Sequence, residues 1–136
     1  MIQRMSHTTV WVLDQEEAKS FYVGKLGFDV RNDVNMGPFR WLTVGPKAQK
    51  DLEIVLMLVT PAPMLDAASA DVLRALVQKG TFGAGVLETD DCQKTYDELR
   101  EKGVTFLGPP KQQPYGLEAV MKDNSGNWFS VVQRPK

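Results

Sequence analysis

The feature that most constrains how this chain folds is an internal repeat. The segments "VLDQEEAKSFYVGKLGFDV" and "LETDDCQKTYDELREKGVTF" share one layout: a β-rich run, an acidic residue suited to capping a helix, about three helical turns, a glycine and a new strand. Asp14 and Asp90 lie 76 residues apart, and so do Gly27 and Gly103. A chain of 136 residues with this layout is expected to contain two copies of one supersecondary unit that share a core.

The first copy has the clearer local signals. Apolar and polar residues alternate over residues 7–12, which predicts a β-strand with two different faces. Asp14 is placed to cap the following helix, and Glu17 has the N3 position of a capping box. Gly27 is expected to end this helix. The apolar faces of the two helices comprise Ala18, Phe21, Tyr22 and Leu26 in the first copy and Cys92, Tyr96 and Leu99 in the second.

Three strand-like runs follow each helix. They are "FDVRNDV", "FRWLTV" and "LEIVLMLV" in the first half, and "VTFL", "LEAVMK" and "WFSVVQ" in the second. The turn signals between them are "MGP", "GPKAQKD", "GPPKQQPYG" and "DNSGN". Residues 61–80 are expected to form a linker and a short helix with an apolar face of Val72, Leu73, Leu76 and Val77. The prediction is an α+β fold in one domain (1–136), with βαβββ modules at about 1–60 and 81–136.

Composition removes several classes of function. The formal net charge is −1 and no basic patch occurs, so nucleic acid is not an expected partner. No apolar run approaches the roughly 20 residues of a membrane span, and the N-terminal residues lack the apolar core of a signal peptide. The single cysteine excludes an internal disulfide and a multi-cysteine metal site. We therefore expect a cytoplasmic protein with no membrane partner.

Four stretches carry a resemblance to a known family: "HTTVWVLDQEEAKSFYVGKLGF", "RWLTVGP", "LETDDCQKTYDELREKGV" and "KDNSGNWFSVVQ". Together they resemble the vicinal oxygen chelate superfamily, which includes glyoxalase I, the bleomycin-resistance proteins and the extradiol dioxygenases. The resemblance implies two βαβββ modules whose curled sheets line a ligand cup. It also implies a homodimer.

The resemblance further implies a divalent metal in the enzymes of the family, held from the first and last strands of each module. The corresponding positions here are His7, Glu53 or Met57, Ala84 and Ser130. Such a metal needs three or more good donors, commonly imidazole and carboxylate. The chain offers one imidazole and one possible carboxylate, and a symmetric dimer would only duplicate the incomplete set. We therefore expect no metal and no cofactor.

Other chemistry has weaker support from the sequence. His7 could act as a general base, contact a ligand or pair internally. Cys92 lies on the core face of its helix and is expected to be a packing residue. Trp11 shares the face of His7, and Trp128 shares the face of Ser130, whereas Trp41 could lie on either face of its strand. Further apolar residues that could line the cup are Phe39, Met57, Tyr115 and Met121.

These observations favour a small-molecule-binding protein that needs no metal and sequesters a bulky hydrophobic or aromatic compound such as an antibiotic. That function is of the drug-resistance type, in which no catalytic residue takes part. The candidate contacts are His7, Thr9, Trp11, Glu53, Met57, Trp128 and Ser130. One alternative is a metal-dependent glyoxalase-like lyase or dioxygenase that uses His7 and Glu53, and another is an accessory dimer with a vestigial cup. The ligand, any turnover and the division of the cup between chains stay open.

Overall fold

The computed structural model describes residues 1–136, which divide into two compact units, Met1–Ala75 and Leu76–Lys136. The fold is α+β, as predicted, and each unit contains one antiparallel–parallel mixed sheet. None of the helices combines the length and the hydropathy that a membrane-spanning helix requires. The elements in chain order are β1 (His7–Val12), α1 (Gln15–Lys19), a π-helix (Ser20–Lys25), β2 (Asp29–Met36), β3 (Phe39–Gly45), β4 (Glu53–Leu58), α2 (Ala67–Lys79), β5 (Gly83–Glu88), α3 (Cys92–Glu101), β6 (Thr105–Phe106), β7 (Lys111–Gln113), β8 (Gly116–Lys122) and β9 (Trp128–Gln133).

The sheet of the first unit has the strand order β1-β4-β3-β2. β1 and β4 are parallel, and the other two pairs are antiparallel. Residues of one face are buried and form the core of the unit: Val10, Val12, Leu42, Val44, Ile54 and Leu56. The buried helical residues Ala18, Phe21 and Tyr22 belong to the same core region, where α1 contacts β4. The alternation predicted for residues 7–12 is confirmed, because Val10 and Val12 are buried whereas His7 and Thr9 are exposed.

The helix of the first copy differs from the expected continuous α-helix. Asp14 caps it as predicted, because its Oδ1 accepts a hydrogen bond from the Glu17 backbone N–H at 2.9 Å. After α1 the chain continues as the π-helix. Gly27 then adopts a left-handed φ of 75°, as expected of a residue that ends a helix. A π-turn takes up one more residue than an α-turn, so the helix is one residue longer over the same axial distance.

The helix cap of the second copy lies one residue later than predicted. Asp91, and not Asp90, accepts the backbone N–H of Lys94 at 3.0 Å. Gly27 follows Asp14 by 13 positions, and Gly103 follows Asp91 by 12 positions. The difference of one residue is the extra residue of the π-helix, so the two copies match once this insertion is taken into account.

The sheet of the second unit has the strand order β5-β9-β8-β6, with β7 also paired to β8. The short strand β7 falls in "GPPKQQPYG", which the sequence predicted to be only a turn. Pairing with β8 overrides the local turn signals there. Cys92 is buried against Tyr96 and Ala119, so the prediction that it is a packing residue is confirmed. Burial raises the pKa of its thiol.

The predicted helix between the copies exists as α2, but its apolar face is shifted. Val72 is 60% exposed, whereas Ala70 is 1% exposed. The less exposed stripe therefore runs through Ala70, Leu73 and Val77, at the i, i+3, i+7 spacing of one helix face. The prediction that Val72 faces the core was wrong because Val72 lies two positions after Ala70, which is about 200° around the helix and opposite the less exposed stripe.

Candidate functional site

A polar cluster occupies one end of the face of the first sheet that carries His7 and Trp11. The β1–β4 register places His7 opposite Glu53, and His7 Nε2 lies 3.3 Å from Glu53 Oε2. The other carboxylate oxygen accepts hydrogen bonds from Thr43 Oγ1 at 2.6 Å and from Asn32 Nδ2 at 2.8 Å. The Thr43 hydroxyl contributes most, followed by the Asn32 amide, to holding the pKa of Glu53 below its ordinary value. On the other side of the imidazole, Ser6 Oγ lies 2.8 Å from His7 Nδ1.

The same face becomes apolar along the strands. Trp11 lies opposite Met57 in the β1–β4 register, four residues beyond the His7–Glu53 pair. This register answers the question left open by the sequence: Glu53 is the neighbour of His7, and Met57 is the neighbour of Trp11. Trp41 also belongs to this face, since its ring centroid lies 6.0 Å from that of His7 and 6.4 Å from that of Phe39.

A pocket of about 340 Å³ opens at the apolar end of this face. The β3–β4 ladder is limited to the pairs Thr43–Val55 and Val44–Ile54, so the two strands are not paired beyond these residues. The segment after β4 supplies the remaining wall. The lining residues are Trp11, Gln15, Pro38, Phe39, Arg40, Met57, Leu58, Thr60, Pro61, Ala62 and Pro63. Most of them are apolar, and two of them are aromatic.

Gln15 bridges the two strands where their pairing stops. Its side-chain Nε2 donates to the backbone oxygen of Leu56 at 2.9 Å and to that of Arg40 at 3.1 Å. The amide thus pairs with two carbonyl groups that lie beyond the last paired residues of the β3–β4 ladder. Sequence reasoning missed Gln15 and the wall at Pro61–Pro63, because the first looked like an ordinary helix residue and the second like a linker.

Arg40 is the only charged residue that lines the pocket, and its charge is compensated. Its Nε and Nη2 donate to the two carboxylate oxygens of Asp33 at 2.8 and 2.9 Å. Its Nη1 donates to Glu16 Oε2 at 2.7 Å. The Arg40 hydrogen bonds, followed by that from Lys19, hold the pKa of Asp33 far below its ordinary value. The charge of the guanidinium is therefore satisfied by carboxylates of the protein itself.

The remaining candidates lie in the second unit. Trp128 and Ser130 share one face of the second sheet, where Trp128 lies opposite Lys122 and Ser130 lies opposite Val120. The Trp128 indole lies directly over Gly83. The prediction that Met121 lines the cup was wrong. Met121 is fully buried and pairs with Phe129, on the face of the sheet opposite to Trp128 and Ser130. The structure thus brings His7, Thr9, Trp11, Glu53 and Met57 together on the first sheet, and Trp128 and Ser130 together on the second.

The side chains do not fit the divalent metal that the enzymes of the resembled family use. No group of three or more His, Cys, Asp or Glu side chains that could hold a metal ion forms anywhere in residues 1–136. His7 and Glu53 supply one imidazole and one carboxylate, and both are engaged in the polar cluster. At the corresponding position of the second unit, Ala84 has no donor atom.

The order of elements and the two sheets place the chain in a known class. Residues 4–131 match the Glyoxalase/Bleomycin resistance protein/Dioxygenase superfamily, and the chain belongs to this superfamily. It is similar to the crystal structure of UcmS2, with 50% identity, a TM-score of 0.92, and coverage of 98% of this chain and 99% of that one. TnmS3, described as an antibiotic binding protein from Streptomyces sp. CB03234, is 34% identical, with a TM-score of 0.76 and coverage of 98% of both chains. The Bacillus subtilis (strain 168) protein YurT is 37% identical over 128 residues, which span 93% of this chain and 96% of YurT.

Proposed function

We propose that this protein is a small-molecule-binding member of the superfamily that needs no metal and sequesters a bulky hydrophobic or aromatic compound such as an antibiotic. The observation that carries the proposal is the pocket of about 340 Å³ lined by Trp11, Phe39 and Met57. Pockets of about 300–1,000 Å³ with apolar and aromatic walls suit small organic ligands. Binding lowers the free concentration of the compound, and no bond is made or broken.

The comparisons support this class of function. TnmS3 is described as an antibiotic binding protein, and it is similar to this chain over nearly the whole length of both. The binding contacts proposed on the first sheet are His7, Thr9, Trp11, Glu53 and Met57. Trp128 and Ser130 of the second sheet are proposed contacts as well, and a homodimer is the proposed assembly.

One observation favours a second candidate function. His7 and Glu53 are neighbours, as they would be in a metal-dependent lyase or dioxygenase of the superfamily. Against it, Glu53 already accepts hydrogen bonds from Thr43 and Asn32, and no third donor completes the pair. A His–carboxylate pair of this kind can instead orient a polar group of a small organic ligand.

Metal content and ligand stabilisation together test the proposal. Untagged protein is incubated with Fe, Ni, Zn or Mn salts, desalted and measured by elemental mass spectrometry. We expect no metal retained in proportion to protein. About one metal per chain that is lost in His7→Ala would overturn metal independence and favour the enzyme.

A natural-product library is then screened by the shift in melting temperature. A compound that binds only the folded state stabilises it by about 2.7 kcal/mol at 100 times its Kd. We expect hydrophobic aromatic compounds to raise the melting temperature saturably and to be recovered chemically unchanged. This stabilisation should be weaker in Phe39→Ala. Val72→Ala is the matched control, because Val72 is an exposed apolar residue of α2. No stabilisation by any compound would support the vestigial-cup alternative, and chemical conversion of the bound compound would support an enzyme.

A further inference from the structure

Resting on the proposed function, we propose that the pocket of the first unit selects uncharged ligands that carry a hydrogen-bond donor, and that Gln15 is the residue that makes this selection. The side-chain amide oxygen of Gln15 accepts the ligand's hydroxyl or N–H group. The inference names both the chemical class of the ligand and the residue that distinguishes it from other aromatic compounds.

The first step is the orientation of the Gln15 amide. Its Nε2 lies within hydrogen-bond distance of two backbone carbonyl oxygens, those of Leu56 and Arg40. The reversed amide would place an oxygen against both carbonyls, with three acceptors and no donor, so the hydrogen-bond network determines which atom is nitrogen. Both N–H groups are therefore used within the protein. The acceptor Oε1 is what this side chain can offer to a ligand.

The second step is the rigidity of that acceptor. The two carbonyls belong to residues 25 and 41 positions away in the chain, on two strands of the sheet. An amide held from both sides cannot turn to offer an N–H group without losing both hydrogen bonds. A ligand that brings only an acceptor would face the amide oxygen unpaired, and burial of unpaired polar atoms costs free energy.

The third step concerns charge. Each nitrogen of the Arg40 guanidinium donates to a carboxylate oxygen of Asp33 or Glu16. The other lining residues carry no charge. An anionic ligand would therefore enter without a free cation, a cationic one without a free anion, and both would be desolvated at a cost. The pocket favours neutral molecules.

The fourth step concerns shape. Trp11 and Phe39 supply flat apolar rings, and Pro38, Pro61 and Pro63 supply walls with little conformational freedom. Such a lining suits a planar fused-ring compound, so the donor atom is expected at the edge of the ring system, in the plane where an amide oxygen can accept it.

Three naphthalenes with one differing substituent test the inference: 2-naphthol as the donor, 2-methoxynaphthalene without a donor, and 2-naphthoate as the anion. Their Kd values are measured by isothermal titration calorimetry at pH 7 with the full-length protein. We expect 2-naphthol to bind about 3–10-fold more tightly than 2-methoxynaphthalene, which is the ordinary worth of one hydrogen bond. We expect 2-naphthoate to bind most weakly of the three.

Two variants assign the preference to Gln15. Gln15→Met removes the whole amide, and Gln15→Lys keeps a donor for the two backbone carbonyls while removing the acceptor. In both variants the ratio between the 2-naphthol and 2-methoxynaphthalene Kd values should fall to about one. Because the ratio is taken within each variant, a general loss of affinity does not change it, and Gln15→Lys provides the test if Gln15→Met does not fold.

The outcomes separate this inference from the proposed function. The role of Gln15 would be overturned by equal affinity of the wild-type protein for 2-naphthol and 2-methoxynaphthalene, or by a preference that persists in both variants. Tightest binding of 2-naphthoate would overturn the selection of uncharged ligands. Each of these results would leave ligand binding intact. Absence of binding by all three probes would overturn the inference as well. The proposed function is decided independently by the library screen, which does not use these probes.

Discussion

Substitution of Gly83 by alanine is expected to destabilise the protein through a single contact. Gly83 does not have a left-handed backbone, so alanine can adopt its conformation without strain. A Cβ at this position, however, would lie 2.5 Å from Cζ2, 2.7 Å from Cη2 and 2.9 Å from Cε2 of the Trp128 indole. An ordinary carbon–carbon contact is about 3.5–4.0 Å, so the rigid ring would have to move by about 1 Å.

The magnitude follows from two opposing contributions. Extra volume that forces a well-packed side chain to move costs about 1–3 kcal/mol. Replacing glycine by alanine reduces the conformational entropy of the unfolded chain, which stabilises the folded state by about 0.4–1 kcal/mol. Gly83 is exposed and Trp128 is half-buried, so the crowding lies in the lower half of its range and remains the larger contribution. We therefore expect Gly83→Ala to lower the free energy of unfolding by about 1 kcal/mol.

Urea denaturation followed by far-ultraviolet circular dichroism measures this change without relying on tryptophan fluorescence. Gly24→Ala is the matched control: Gly24 is helical and nothing lies within 4 Å of its added Cβ, so this variant should be as stable as the wild type or more stable. In a Trp128→Ala background the cost of Gly83→Ala should largely disappear. Wild-type stability of Gly83→Ala, or an undiminished cost without the indole, would refute the reasoning.

Two further predictions concern the polar cluster and the helix cap. Because the folded-state pKa of Glu53 is lowered, its contribution to stability is present above the unfolded pKa of about 4.3 and is lost as the pH falls through the folded value. Glu53→Gln should therefore be less stable than the wild type at pH 7, and the two urea midpoints should converge as the pH falls below about 4.3. A constant gap would contradict this. Asp91→Ala should cost about 1 kcal/mol as a lost helix cap, whereas Asp90→Ala should change the urea midpoint little, and the reverse order would assign the cap to Asp90.

The parts of the fold that could be predicted are those with local causes. The alternation in β1, the Asp14 cap and the glycine at position 27 each depend on residues within a few positions of one another. The choice between the adjacent residues Asp90 and Asp91 was beyond the pattern, because either carboxylate suits a cap and only the backbone geometry decides. The π-helix likewise could not be predicted from the sequence, since no residue type indicates a π-turn.

The candidate site was predictable from the sequence only where the alternation of side chains along a β-strand decides which face a residue occupies. The shared face of His7 and Trp11 follows from the period of a β-strand, and the register with β4 then brings Glu53 and Met57 to that face. The contacts of Gln15 span 25 and 41 residues, and the Pro61–Pro63 wall reaches the pocket only after the chain has left β4. Such long-range contacts depend on tertiary structure, and the local sequence pattern does not indicate them.

The extra residue of the π-helix at Ser20–Lys25 bears on how the two copies have diverged in length. An insertion in a loop would move the next strand, and an insertion in a strand would turn every following side chain to the other face. The helix instead absorbs the residue as a local bulge, so the cap before it and the glycine after it keep their places. An alignment of the two sequence copies with a one-residue gap in this π-turn therefore keeps the strands of both sheets in register. Deletion of one residue in this turn is the deletion that the first copy should tolerate best.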